Sequence, residues 1–381
     1  MIYKLKDLIK IKYGKSQKKV ECENGCYPII GTGGEIGRSK DYLYNRPSVL
    51  IGRKGTIEKV KYIEEPFWTI DTLFYTEINE KIILPKYLYY KLSMINFKNY
   101  DEGTTIPSLR AETLYEIEID IDDMLTQKKI VKILSKLEDK IKLNINTNDN
   151  LYELTMELFR KQFSEETQKD DSWRKVKLKK LISLRSGLSY KASKLTNNKN
   201  ANILVSMGNV ESNKIFNFDN LKYYKDEPEK RYMANIGDLF ICTRDVTQKR
   251  NQLGCPGIIP KIFKGRKIII GTNLYIVDLL TNDKSLVYYL FLLLNSKKYR
   301  ERIMGAAKGT AILMITKDDI LNFEFLYPKN EEVINQFNNE IEPFFKKIQN
   351  NIIENNKLTQ LKNTLLPKLM NGKINLDEID I

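Results

Sequence analysis

Gly103-Thr104-Thr105-Ile106 returns as Gly309-Thr310-Ala311-Ile312, 206 residues further along a chain of 381. The echo is not isolated. Lys4-Leu5-Lys6 and Leu8-Ile9 recur as Lys177-Leu178-Lys179 and Leu181-Ile182, followed by Gly14 and Gly187, all at a spacing of 173. Val49-Leu50-Ile51-Gly52-Arg53 is echoed by Phe240-Ile241-Cys242-Thr243-Arg244 at 191, and Leu158-Phe159-Arg160-Lys161 by Leu365-Leu366-Pro367-Lys368 at 207. The spacing grows only inside the second copy and then holds, as it does when a duplicated unit carries loop insertions. A period near 200 residues gives two domains, not a solenoid.

Composition narrows the class of partner. With 63 Lys and Arg against 49 Asp and Glu the net charge is +14, which favours a polyanion, because clustered cations release counterions from a phosphate backbone. The cations are placed alike in both copies: seven lysines against Asp7 alone from Lys4 to Lys19, and Arg174, Lys175, Lys177, Lys179, Lys180 and Arg185 with no acid among them. The chain has no histidine and only Cys22, Cys26, Cys242 and Cys255. Their separations make no zinc framework and no imidazole can complete one, so buried free thiols in a reducing cytoplasm are expected. No apolar run approaches the roughly 18 residues of a membrane helix, and Lys4, Lys6 and Asp7 break a signal-peptide pattern.

Residues 1–122 are strand-rich, with runs such as Tyr27-Pro28-Ile29-Ile30, Val49-Leu50-Ile51 and Leu73-Phe74-Tyr75 divided by Gly, Pro and Asn. Over 123–164 the period changes. Ile130, Leu134, Leu137, Ile141, Leu151 and Leu158 recur at helical spacing without glycine or proline, which predicts one long helix. The plan repeats as a strand-rich domain over 172–328 and a long helix over 330–372, with Phe337, Ile341, Phe344, Ile348, Leu358 and Leu365 along its seam. Asn144 and Asn148 match Asn351 and Asn355 at 207 and fall on this seam. Amides at such positions weaken a helix pair but fix its register. The fold class expected is α+β: two pseudo-repeated mixed α/β domains joined by two long antiparallel, coiled-coil-like helices.

Enzyme signatures fail. Gly31-Thr32-Gly33-Gly34-Glu35-Ile36-Gly37 lacks the spacing of a dinucleotide loop and is read as a tight hairpin turn. Gly14-Lys15-Ser16 has Ile9 where a phosphate-binding loop needs its first glycine. No two prolines are adjacent, so the Pro-Pro-Tyr core of an amino-methyltransferase is missing, and the usual general base has no histidine to supply it. Binding features survive better. Arg38, Lys40, Arg53, Lys54, Thr56 and Arg110 lie in or beside glycine-punctuated loops of the first domain, and Arg244, Lys249, Arg250, Lys308 and Thr310 at comparable places in the second. Arginine reads guanine through a bidentate fork, and glycine lets a backbone approach phosphate. On the letters alone, Arg53 aligns with Arg244. Trp68 and Trp173 are read as core or domain-edge aromatics.

The order of domain, helix, domain, helix resembles the specificity subunit of type I restriction-modification systems, over essentially the whole chain. Val49-Leu50-Ile51-Gly52-Arg53-Lys54-Gly55-Thr56, Pro66-Phe67-Trp68-Thr69-Ile70-Asp71-Thr72, the 103–109 loop and the helix closings at 158–163 and 365–372 look like target-recognition-domain and central-helix motifs. The resemblance implies a cytoplasmic, non-catalytic subunit with no cofactor or metal of its own. Each recognition domain would read one half of a split, asymmetric double-stranded DNA target, and the helix pair would set the gap. The same helices would dock two methyltransferase subunits that use S-adenosylmethionine to methylate adenine N6, with ATP- and Mg²⁺-dependent nuclease subunits joining for restriction. The competing reading is a stand-alone regulatory or architectural DNA-binding protein whose helices make a homodimer. A third is a single-chain nuclease or methyltransferase with an unseen site.

Overall fold

The computed structural model describes residues 1–164, 171–246, 251–281, 283, 286–310, 312–374 and 376. They form two compact units, and both are discontinuous or bounded inside helices: Met1–Lys140 with Leu358–Ile381, and Ile141–Lys357.

In the first unit a four-stranded antiparallel sheet runs in the order Ile9–Tyr13, Leu73–Ile78, Ser48–Gly52, Val60–Ile63. Its edge strand alternates, with Ile9 and Ile11 buried and Lys10 and Lys12 in water, while Ser48–Gly52 is buried throughout. Alternation is the mark of a strand with one wet face, and continuous burial that of an interior strand. A three-stranded sheet carries Gly34–Ser39, Tyr27–Gly31 and Trp68–Thr69, the last pairing parallel. Thr32 and Gly33 make the turn between its hairpin strands, and Gly34 adopts φ +135 where the hairpin opens. Ile2–Lys4 pairs with Glu118–Asp120, and Pro85–Ser93 is a helix with proline in its first turn.

The second unit repeats this plan. Its four-stranded sheet follows the same order, Ile182–Ser186, Leu274–Leu279, Leu239–Cys242, Pro256–Ile258. Trp173–Lys177 pairs with Glu324–Pro328 as Ile2–Lys4 does with Glu118–Asp120. The second sheet has grown to five strands, in the order Leu195–Thr196, Lys222–Tyr224, Asn202–Val205, Ile268–Ile270, Met233–Ala234, and keeps one parallel pair at its centre. The apolar run over 286–294 is a buried helix, Leu286–Leu293, and no helix among the described residues is long and apolar enough to cross a membrane.

Two helices of 40 and 39 residues, Met124–Phe163 and Glu332–Met370, contribute to both units. Their starts are capped at equivalent places: Asp123 Oδ1 accepts from the Leu125 and Thr126 N–H groups at 2.9 and 3.1 Å, and Asn330 Oδ1 from Glu332 at 3.0 Å. The Thr126 hydroxyl, followed by those two N–H groups, holds the Asp123 carboxyl below its usual range. In the first unit Ile130 and Leu134, near the start of one helix, share a core with Leu365, Leu366, Leu369 and Met370 at the end of the other. In the second unit the roles exchange, with Ile334, Phe337, Ile341 and Phe345 joined by Tyr152, Met156, Phe159 and Phe163. Each unit therefore buries the beginning of its own helix and the end of its sibling's.

The pairing is antiparallel within each unit. Glu138 meets Lys362 at 3.3 Å in the first, and Asn144 meets Asn355, and Asn148 Asn351, at 2.8 Å in the second. Two sequence expectations change. Phe344 on the expected seam is only partly buried against the core, and its neighbour Phe345 is fully buried, as is Phe337, with the Phe345 ring stacked on Tyr288 at 4.4 Å. Cys242 and Cys255 are buried free thiols, but Cys22 and Cys26 are exposed, lying in a turn where Gly25 N–H bonds Cys22 O at 2.9 Å.

Candidate nucleic-acid interface

The candidate site of the first unit forms where the buried strand Ser48–Gly52 runs out into the 52–56 loop and meets the 103–109 loop. Arg53 N–H donates to Thr72 O at 2.9 Å, Leu109 N–H to Arg53 O at 2.9 Å, and Gly55 N–H to Pro107 O at 2.8 Å, with Lys54 bridged to Ser108. Both loops are tight. A Cβ on Gly52 would lie 2.2 Å from Thr56 O, and one on Gly103 1.9 Å from Ile106 O. Asp101 Oδ1 accepts from the Ser108 and Gly103 N–H groups, both at 2.8 Å, and these bonds hold its carboxyl below the usual range.

Upon this frame the Arg53 guanidinium is fixed twice. Nη1 donates to Asp71 O at 2.9 Å, and Cζ lies 5.0 Å from the centroid of the Tyr13 ring. Lys54 and Thr56 are exposed, and Arg110 extends into water with Nε 3.0 Å from Glu102. Arg38 and Lys40 are also exposed but belong to the other sheet. There Arg38 pairs with Glu35 at 2.9 Å, and Lys40 N–H bonds Val20 O. The six residues are thus divided between a loop pair that carries four and a hairpin that carries two.

The second unit builds the same junction. Arg244–Asp245 pairs with Leu313–Met314, Thr243 N–H donates to Asn273 O at 2.9 Å, and Ile315 N–H to Thr243 O at 3.1 Å. Lys308 and Met314 exchange backbone bonds of 3.0 and 2.9 Å across the loop. Gly309 adopts φ +103, and a Cβ there would sit 2.1 Å from Ile312 O. Arg244, Lys308 and Thr310 are exposed, whereas Lys249 and Arg250 lie outside the described residues.

These bonds correct the equivalence read from the letters. Gly52 pairs with Leu73, and Cys242 with Leu274; Thr72 and Asn273, one residue earlier, accept from Arg53 and Thr243. Gly14 N–H donates to Leu73 O and Gly187 N–H to Leu274 O, both at 3.0 Å, which ties down the same register independently. Arg53 therefore corresponds to buried Thr243, and Arg244 corresponds to Lys54. Sequence reasoning passed over two further matched positions on these loops: the exposed Thr104, counterpart of Thr310, and the exposed pair Ile106 and Ile312. The 206-residue spacing carried the signal for both.

Asn144, Asn148, Asn351 and Asn355 make a single cluster in the second unit. Asn144 Nδ2 donates to Asn355 Oδ1 at 2.8 Å and to Glu354 at 2.9 Å, and Asn351 Nδ2 donates to Asn148 Oδ1 at 2.8 Å. Exchanging the two helices exchanges the Asn144–Asn355 and Asn351–Asn148 bonds, so the contacts obey a local two-fold symmetry. Asn351 Oδ1 is buried without a partner among the described residues.

The loop junctions present cations and hydroxyls on backbone stiffened by glycine, an arrangement suited to a polyanion. No group of His, Cys, Asp and Glu among the described residues could hold a metal ion.

A family model described as the type I restriction modification DNA specificity domain matches residues 1–153. The N-terminus of a putative type I specificity subunit of Mycoplasma pneumoniae is 32% identical over 139 residues, covering 35% of this chain and 74% of that protein. The MjaIX type I restriction enzyme specificity subunit of Methanocaldococcus jannaschii is 25% identical over 364 residues, 88% of this chain and 80% of that one. Among solved structures, the S subunit of a type I restriction-modification system from M. genitalium shares the fold, with a TM-score of 0.56 at 17% identity over 97% of this chain and 95% of that chain.

Proposed function

The chain belongs to the type I restriction-modification specificity family, and we propose that within such a system it binds a bipartite, asymmetric duplex DNA target, one half-site to each unit. The observation that supports this most is the duplicated loop junction. Two domains that have diverged in sequence and in one sheet keep the same hydrogen bonds where exposed cations and hydroxyls stand, at 52–56 with 103–109 and at 242–245 with 308–315. Duplex DNA supplies the repeated, negatively charged surface that such a duplication suits, and the net charge of +14 adds long-range attraction.

The helix pair is the element that sets the gap between half-sites, and its exposed flank is where methyltransferase subunits dock. Helices hold length well, since each residue adds about 1.5 Å along the axis. Adenine N6 methylation from S-adenosylmethionine, and ATP-dependent cleavage where nuclease subunits join, belong to those partners. This chain positions them by binding DNA.

Mapping N6-methyladenine in a host that carries this chain and its methyltransferase tests the reading. A two-part motif with a fixed internal gap is expected, lost when this chain is deleted. Methylation that persists unchanged without the chain would contradict it.

A further inference from the structure

Contacts to the DNA backbone can be kept in two domains that read different half-sites, whereas contacts that discriminate bases differ wherever the half-sites do. Lys54 and Arg244 occupy one position, both exposed and with no side-chain hydrogen bond or ion pair among the described residues. Thr104 and Thr310 share a second position, following glycines whose Cβ would strike the Ile106 and Ile312 carbonyls. Ile106 and Ile312 share a third, 60% and 45% exposed. Arg53 has no such sibling, because Thr243 is buried.

We infer that Lys54 and Arg244 are sequence-independent anchors, each holding a backbone phosphate of its half-site beside the glycine-threonine loop, and that Arg53 is a base-discriminating residue private to the first unit. The inference rests on the DNA reading proposed above. The Lys-for-Arg exchange between copies supports it. A phosphate accepts either cation as a point charge, whereas exchange of arginine for lysine is not conservative at a site built for a bidentate fork. The matched isoleucines stand two residues before Ser108 and Met314, the backbone partners of these cations, and leave apolar surface exposed. Arg53 has the opposite character: the Asp71 carbonyl and the Tyr13 ring hold its guanidinium in one orientation, which a directional base contact needs.

The experiment uses the complex of the full chain with its methyltransferase subunits. Binding is measured to the selected target, to each single-base variant of it, and to an unrelated duplex, over a range of salt. Lys54→Met and Arg244→Met are each expected to weaken binding evenly across all duplexes and to reduce the slope of log affinity against log salt by about 0.9. Lys54→Arg and Arg244→Lys are expected to retain wild-type affinity and slope. Arg53→Ala is expected to lose about tenfold or more at one base position of one half-site only. Losses for the methionine variants confined to one base, or no loss at all, would overturn the inference and leave the DNA reading standing. A wild-type complex that selects no sequence would overturn both.

Discussion

Asn144 donates its side-chain amide to Asn355 at 2.8 Å, and the bond is answered by its symmetry counterpart from Asn351 to Asn148 at the same distance. The two are unequal in one respect. Asn144 donates to both Glu354 and Asn355, whereas Asn351 leaves its carbonyl oxygen buried without a partner among the described residues. Asn144→Ala should therefore destabilise the protein by about 1–2 kcal/mol, and Asn351→Ala by less, since part of its desolvation cost is already uncompensated. Replacing Asn144 and Asn355 together with leucine should come close to neutral in stability while loosening register. Urea unfolding of the four chains measures the order. Equal losses at Asn144 and Asn351 would speak against the asymmetry.

Gly103 and Gly309 are irreplaceable for the same reason, a carbonyl about 2 Å from where a Cβ would stand, and Gly309 adds a left-handed backbone. Alanine at either position should cost about 2–4 kcal/mol. Gly33, which has open space around it and no positive φ, should accept alanine within about 0.5 kcal/mol. Shifts of the unfolding midpoint distinguish the cases, and a tolerated Gly103→Ala would contradict the loop geometry.

Burial pushes the Cys242 thiol up to about 12 and that of Cys255 to about 11, while Cys22 and Cys26 are exposed. A thiol-directed reagent at pH 8 should label the exposed pair in the native protein and the buried pair only after unfolding. The native state keeps these thiols neutral, so their contribution to stability is complete below the ordinary value of 9.0 and is lost as pH rises from 9 toward 12. Alkaline unfolding should begin in that window, and rapid native labelling of all four cysteines would contradict the burial.

The long helices, the strand-rich domains and the asparagine seam are legible in the sequence, because periodicity and a constant spacing are properties of neighbouring letters. What escaped depends on pairing across the fold. The letters align Arg53 with Arg244 because like residues attract an alignment, but the register is set by Thr72 and Asn273, whose carbonyls accept from Arg53 and Thr243. No local pattern records those partners. The exchange of helix ends is similarly hidden: Ile130 and Leu134 share a core with Leu369 and Met370, more than 200 residues away. Thr104 is exposed on the 103–109 loop, but an uncharged hydroxyl carries no pattern that sets it apart from its neighbours in the sequence.

The central claim is that two sibling domains read two half-sites across a gap fixed by a helix pair. Inserting four residues into each of the helices Met124–Phe163 and Glu332–Met370 adds about 6 Å to each, near two base-pair steps. The N6-methyladenine map of a host carrying this variant and its methyltransferase is the direct measurement. The same two half-sites separated by a longer gap are predicted; an unchanged gap, or altered half-site bases, would contradict the account.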